Sequence, residues 1–172
     1  MARSTESASD SRRDGLLITT GKNAAKISKR LAAELSLAIP HSRFEARGKR
    51  TMEKLLALAT KRHYSRLCTI SEENGKPATM SFLSIGMNGE WSRLSPTIRI
   101  TSLKFASPKQ IRNPRSSAML LSGTKKKTLQ SLFGLEGDDE GKHESEISSS
   151  ATMMQVRLSG KKILTLGAKY AK

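Results

Sequence analysis

A single cysteine, Cys68, stands in the 172 residues, which excludes an internal disulfide and any zinc site built on cysteine pairs. It falls in a strand-like run and is expected to pack as a small apolar side chain, compatible with a reducing, intracellular setting. The three histidines, His41, His63 and His143, share no metal-ligand spacing with one another or with Cys68. No apolar run approaches the roughly 18 residues of a membrane span, and no signal-peptide core is present, so a membrane is not an expected partner. Aromatic residues are scarce: one Trp, two Tyr and four Phe. Proteins that grip single strands stack bases on aromatic platforms, so the scarcity favours recognition of backbone and shape in structured RNA or duplex. The pairs Gly21-Lys22, Gly48-Lys49 and Gly160-Lys161 occur outside any phosphate-binding P-loop pattern. Paired carboxylates suited to acid–base chemistry are lacking outside one acidic segment. No enzymatic role, metal or cofactor is expected.

What the chain has in excess is positive charge. There are 31 Lys+Arg against 15 Asp+Glu, a net charge of +16 and a pI near 10.4. Six of the acids, Glu136, Asp138, Asp139, Glu140, Glu144 and Glu146, crowd into the Ser-rich stretch 134–150 with Lys142. Setting those aside leaves 30 basic against 9 acidic residues, or +21. An excess of this size implies a polyanionic partner, nucleic acid above all.

Residues 1–14 are polar and aperiodic and read as a disordered tail; residues 15–172 read as the folded unit. Leu16–Thr20 is a short apolar strand, and Gly21-Lys22-Asn23 a turn. A helix follows over 24–39, with Ala24, Ile27, Leu31, Leu35 and Ala38/Ile39 on its apolar stripe. Pro40 ends it. Lys22, Lys26, Lys29 and Arg30 crowd its early turns, with Lys26 and Arg30 one turn apart on the same face. Next comes a basic loop, with Arg43, Arg47, Lys49 and Arg50, leading into a second helix over 52–62. Thr51 is placed to cap that helix, Glu53 suits its dipole, and Met52, Leu55, Leu56 and Ala59 form its apolar face. Unpaired helix amides beside four cations offer a place for phosphate oxygens.

Strands are expected over 66–71 and 78–85, joined by the hairpin signal Asn74-Gly75. An extended stretch over 91–103 is expected to break at Pro96, and 107–114 to form a loop. The opening pattern then returns. Leu16–Lys22 and Met119–Lys125 both read as an apolar strand, a Gly turn and a lysine before a helix. The second copy brings Lys125, Lys126 and Lys127 to the front of a helix carrying Leu129, Leu132 and Phe133. This suggests an internal duplication, with lobes over about 15–106 and 115–172. Residues 134–150 read as an acidic, flexible loop, and 152–158 with 163–166 as a closing hairpin around Ser159–Lys162.

Several stretches resemble, in order, the Brix domain of ribosome-biogenesis proteins. These are Leu17-Ile18-Thr19-Thr20-Gly21-Lys22-Asn23, Glu34-Leu35-Ser36-Leu37-Ala38-Ile39-Pro40, Arg47-Gly48-Lys49, Gly75-Lys76-Pro77, Ser95-Pro96-Thr97 and Leu129-Gln130-Ser131-Leu132-Phe133. The resemblance covers about residues 16–135. It departs at Ser95, where the family often has Gly, in a short second half, and in the unmatched stretch 134–150. The resemblance implies an α+β fold of two related lobes, each a small sheet packed with helices and similar to the anticodon-binding domains of some aminoacyl-tRNA synthetases. It also implies binding of pre-rRNA during ribosomal subunit assembly, alongside other assembly factors. The bare domain looks like the archaeal members, which implies a cytoplasmic setting, or a nucleolar one for a eukaryotic source. The expected role is that of a non-enzymatic RNA-binding assembly factor. An integral ribosomal protein is the alternative, and a nucleic-acid-modifying enzyme a third possibility. Arg43, Arg47, Lys49 and Arg50 are the first candidates for phosphate contact, then Lys22, Lys26, Lys29 and Arg30, then Lys125–Lys127.

Overall fold

The computed structural model describes residues 15–106, 118–135 and 143–171. The tail 1–14, the loop 107–114 and the most acidic part of 134–150 therefore lie wholly or largely outside the described residues. The fold is α+β. In chain order the elements are β1 (Leu16–Thr20), α1 (Lys26–Ala38), β2 (Ser42–Phe44), α2 (Met52–Lys61), β3 (Arg66–Glu73), β4 (Lys76–Ile85) and β5 (Trp91–Phe105). Then follow β6 (Met119–Gly123), α3 (Lys126–Phe133), β7 (Ser145–Ser149), β8 (Met153–Leu158) and β9 (Lys161–Ala171).

The nine strands of the described residues join one mixed sheet in the order β2-β1-β3-β4-β5-β9-β8-β7-β6. The two small sheets expected from the sequence are thus continuous, because β5 and β9 pair along much of their length, from Thr97↔Ala171 to Phe105↔Leu164. On either side of that seam the pairing repeats. β1–β3 is parallel, and β3–β4 and β4–β5 are antiparallel. Likewise β6–β7 is parallel, and β7–β8 and β8–β9 are antiparallel.

Alternation along the strands sorts side chains to two faces. Leu16, Ile18, Cys68, Ile70, Met80, Phe82, Ile147, Val156 and Leu166 face one large core that also takes the apolar sides of α1 and α3. Phe82 and Phe133 meet there with ring centroids 5.9 Å apart, tilted by 58°. Burial raises the pKa of the Cys68 thiol well above its ordinary value, so it stays protonated and packs as an apolar group. Leu17, Leu67, Leu83 and Ile85 face the other side, where Leu56 and Ala59 of α2 cover them. So α1 and α3 share one face of the sheet and α2 takes the opposite one.

Four local expectations are corrected. Ile27, expected on the apolar stripe of α1, is 38% exposed, while Ala24, Leu31, Leu35, Ala38 and Ile39 are buried as read and Ala32 and Ser28 join them. Ser42–Phe44, in the basic loop, forms the edge strand β2, parallel to β1. Pro96 does not break its stretch: β5 runs through the cis Ser95–Pro96 peptide, and the register to β4 shifts there, with Leu94 opposite Phe82 and Ile98 opposite Met80. Ser145–Ser149, expected within a flexible acidic loop, is the strand β7. It forms because buried Ser145 donates to the Ala38 carbonyl at 2.6 Å and Ser149 to that of Ser122 at 3.1 Å, while Ile147 enters the core.

Candidate nucleic-acid interface

Three parallel strands bring the first two basic clusters to one end of the sheet. β1, β2 and β3 run the same way, so the turn after β1 and the loop after β2 leave from the same end. Gly21 there donates to the Ile70 carbonyl at 3.0 Å. The Glu45 amide donates to the Ile18 carbonyl at 2.9 Å, and the Thr19 hydroxyl to the Glu45 carbonyl at 2.8 Å. Helices α1 and α2 both start at this end, one on each face. Lys22, Lys26 and Lys29 are exposed at the front of α1. Arg43 is exposed on β2, and Lys49 in the loop.

Other members are drawn into the protein's own bonding. Arg47 Nε donates to the Arg50 carbonyl at 3.1 Å, and Arg50 Nη1 to the Ala46 carbonyl at 2.8 Å. Glu45 pairs with Arg50 and with Arg62, each at 3.1 Å. Arg47 and Arg50 therefore shape the loop that presents Lys49. Glu45 and Arg62 were missed in the sequence reading. On β2 and in the loop after it, Arg43, Arg47, Lys49 and Arg50 outnumber Glu45, and Arg62 adds a fifth cation beside that carboxylate. Thr51 caps α2 as expected, accepting from the Lys54 amide at 3.3 Å.

At the front of α1 a carboxylate is already in place. The helix has no side-chain cap of its own, and the Ala25 amide donates to Glu72 Oε1 at 2.8 Å. A phosphate at this terminus meets Glu72 as a competitor, so Lys22, Lys26 and Lys29 are better read as side-chain contacts alone.

Arg30 is also turned inward. Its Nε donates to Glu34 Oε1 at 2.7 Å, its Nη2 to the Ala106 carbonyl at 2.8 Å, and its guanidinium lies 4.2 Å from the centroid of the Phe105 ring. Glu34 is only 4% exposed. Burial raises its pKa, and the Arg30 hydrogen bond and charge offset part of that rise. A raised carboxyl pKa means the native state keeps a proton that the unfolded chain has released. Ionisation of Glu34 thus costs stability, a cost absent below its ordinary value of 4.5 and growing as pH rises through the native pKa. Denaturant titrations of wild type and Glu34→Gln should show the wild type losing ground to the variant as pH rises above the ordinary carboxyl value of 4.5. A gap that stays constant as pH is raised from below that value counts against this account.

The third cluster lies elsewhere. From β1 to β6 the sheet contains five antiparallel steps, an odd number, so the two strands run in opposite directions. Helices α1 and α3 sit on the same face and start from opposite ends of it. Lys125 packs its ammonium 5.2 Å from the centroid of the Tyr170 ring. Lys126 is half-buried and Lys127 exposed. The two lysine-bearing fronts read as equivalents from the sequence are not brought together.

A cleft of about 610 Å³ opens beside α1, lined by Ile27, Lys76, Pro77, Ala78, Ile100 and Leu103 among others; Glu73 and Lys76 are the charged residues among its described lining. Among the described residues no group of three or more His, Cys, Asp or Glu is placed to hold a metal ion. No helix among them is long and apolar enough to cross a membrane.

No protein-family model matches the chain. Over 70 residues it is 34% identical to a probable Brix domain-containing ribosomal biogenesis protein of Pyrococcus horikoshii, and 33% identical to proteins of the same name from Pyrococcus abyssi and Thermococcus kodakarensis. That stretch is 41% of this chain and 31–34% of those proteins, so the match spans about a third of the curated relatives' length. In three dimensions the chain superposes on a probable ribosomal biogenesis protein from Aeropyrum pernix with a TM-score of 0.76, at 15% identity, over 91% of this chain and 96% of that one. It superposes on Mil, an archaeal Imp4-like protein, with a TM-score of 0.62, at 21% identity, over 89% and 96%. At such identities the likeness establishes a shared fold. The Brix-domain resemblance read from the motifs is met by these relatives.

Proposed function

We propose that this relative of Brix domain-containing ribosomal biogenesis proteins binds structured pre-rRNA during subunit assembly and holds it through backbone contacts, without catalysing a reaction. One observation carries the RNA-binding part. Lys22, Lys26, Lys29, Arg43 and Lys49 are all exposed at the end of the sheet where β1, β2 and β3 finish. Phosphate contacts of this kind position RNA and do not select its sequence. The names of the relatives support the ribosome-biogenesis part. The repeated pairing pattern on the two sides of β5–β9 supports the reading as two related lobes of the anticodon-binding-domain kind. The setting is cytoplasmic, as in an archaeal cell, and the partners are pre-rRNA and other assembly factors.

The test is affinity for a folded rRNA fragment across a salt series. Each phosphate neutralised contributes a slope of about −0.9 in log K against log salt, so five contacts give a slope of about −4.5. A slope shallower than about −1 removes the backbone reading. Sedimentation of cell extracts separates an assembly factor from a ribosomal component: the factor travels with precursor particles and leaves mature subunits. A chain that stays on mature subunits overturns the assembly-factor role.

A further inference from the structure

One face of the sheet carries a second group of cations that only strand register reveals. On β5, β8 and β9 the core takes Ile98, Leu103, Met154, Val156, Leu158, Leu164, Leu166 and Ala168. The opposite face lies beyond the area covered by α2 and holds no helix among the described residues. There Arg99 stands directly across from Lys169, Lys104 across from Thr165, and Arg157 across from Lys162. All five cations are exposed. Like charges placed directly opposite in an antiparallel pair are destabilising, and this face does it twice.

Among the described residues two acids are seen paired with them. Glu73 lies 3.7 Å from Arg99, with both side chains at least 60% exposed, and Glu146 lies 3.5 Å from Arg157. Exposed pairs of this kind contribute little. Five cations less two carboxylates leave +3. Between them the face shows Thr97, Gln155 and Thr165, with Met153, 42% exposed beside Gln155, as an apolar side chain among them. From Arg99 to Lys104 the strand extends about 16 Å, and a duplex presents a negative charge every ~1.7 Å of its axis. The chemistry that fits is a polyanion rich in hydrogen-bond acceptors.

We propose that this helix-free face is a second surface for the RNA sugar–phosphate backbone, so that the chain holds one segment at the fronts of α1 and α2 and another across β5, β9 and β8. The inference rests on the RNA-binding reading above. The test is the double variant Lys104→Thr with Lys169→Thr, measured with a folded rRNA fragment long enough to reach both surfaces. Neither lysine makes an ion pair within the described residues. Affinity is expected to fall about tenfold and the salt slope to lose about 2 units, while the thermal midpoint holds or rises, because the repulsion between Arg99 and Lys169 is gone. Lys104→Arg with Lys169→Arg should bind as wild type does. A wild type that binds RNA beside a Thr variant with the same affinity and slope overturns this proposal alone. A wild type that binds no RNA overturns the RNA-binding reading itself. A Thr variant that keeps RNA but loses an acidic polypeptide such as polyglutamate overturns the choice of RNA as occupant.

Discussion

Replacing Arg43 and Lys49 together with alanine should lower affinity for structured RNA roughly thirtyfold, about 1 kcal/mol for each phosphate contact, and reduce the salt slope by about 2. Both side chains are exposed and have no partner among the described residues, so none of those residues competes for their charge. Surface changes of this kind leave stability within about 0.5 kcal/mol, which separates a binding defect from a folding one. The neighbouring pair Arg47 and Arg50 should behave differently. Both donate to loop carbonyls, and Arg50 also neutralises Glu45. Their removal loosens the loop and exposes a carboxylate at the site, so binding falls and the 45–51 loop becomes easier to cleave with protease. Unchanged affinity and slope in the Arg43/Lys49 variant would take this end of the sheet out of the RNA interface.

How much of this was legible in the sequence follows from which forces are local. β1, the capped start of α2, the Asn74-Gly75 hairpin and the β8–β9 hairpin rest on periodicity and turn chemistry within a few residues, and the structure places them close to where that reading does. Asn74 and Gly75 both take positive φ, 52° and 71°. β2 and β7 were not legible because their partners are remote. Ser42–Phe44 is three residues long and owes its strand form to β1. β7 presents two serines and one isoleucine to the core, and its serines are satisfied by carbonyls of Ala38 and Ser122. A Ser- and Glu-rich string gives no hint of those acceptors. The joining of both halves into one sheet depends on residues as far apart as Thr97 and Ala171, which no window of periodicity spans.

The site divides in the same way. The positions of positive charge were visible, and parallel strands gather two of the three clusters. The destination of each cation was not. Arg30 is held by Glu34, Ala106 and Phe105, and the amide that could have met a phosphate at the front of α1 already meets Glu72. Alternation within β5, β8 and β9 was read for its apolar members only, and the cations on the reverse face went unread with it.

The two strand–Gly–Lys turns that look alike in sequence should respond oppositely to the same substitution. Gly123→Ala should cost about 3 kcal/mol or more and lower the thermal midpoint by roughly 6–12 °C. Gly123 has φ near +92°, and an added Cβ would fall on the carbonyl oxygen of Ser149, with the Ser149 carbonyl carbon and nitrogen at 2.8 and 2.9 Å. That carbonyl cannot step aside, because Gly123 pairs with Ser149 in the β6–β7 ladder and the Thr124 amide donates to the same oxygen at 3.0 Å. The Lys125 amide donates to Ser149 Oγ at 3.3 Å, so the shift also disturbs the start of α3 and the lysines there. Gly21, at the matching place after β1, has nothing within 4 Å of an added Cβ and no positive φ. Gly21→Ala should therefore leave the midpoint within about 2 °C of wild type, since an alanine that fits without strain also restricts the unfolded chain. Equal losses at the two glycines would mean that backbone crowding against Ser149 is not what fixes the second turn.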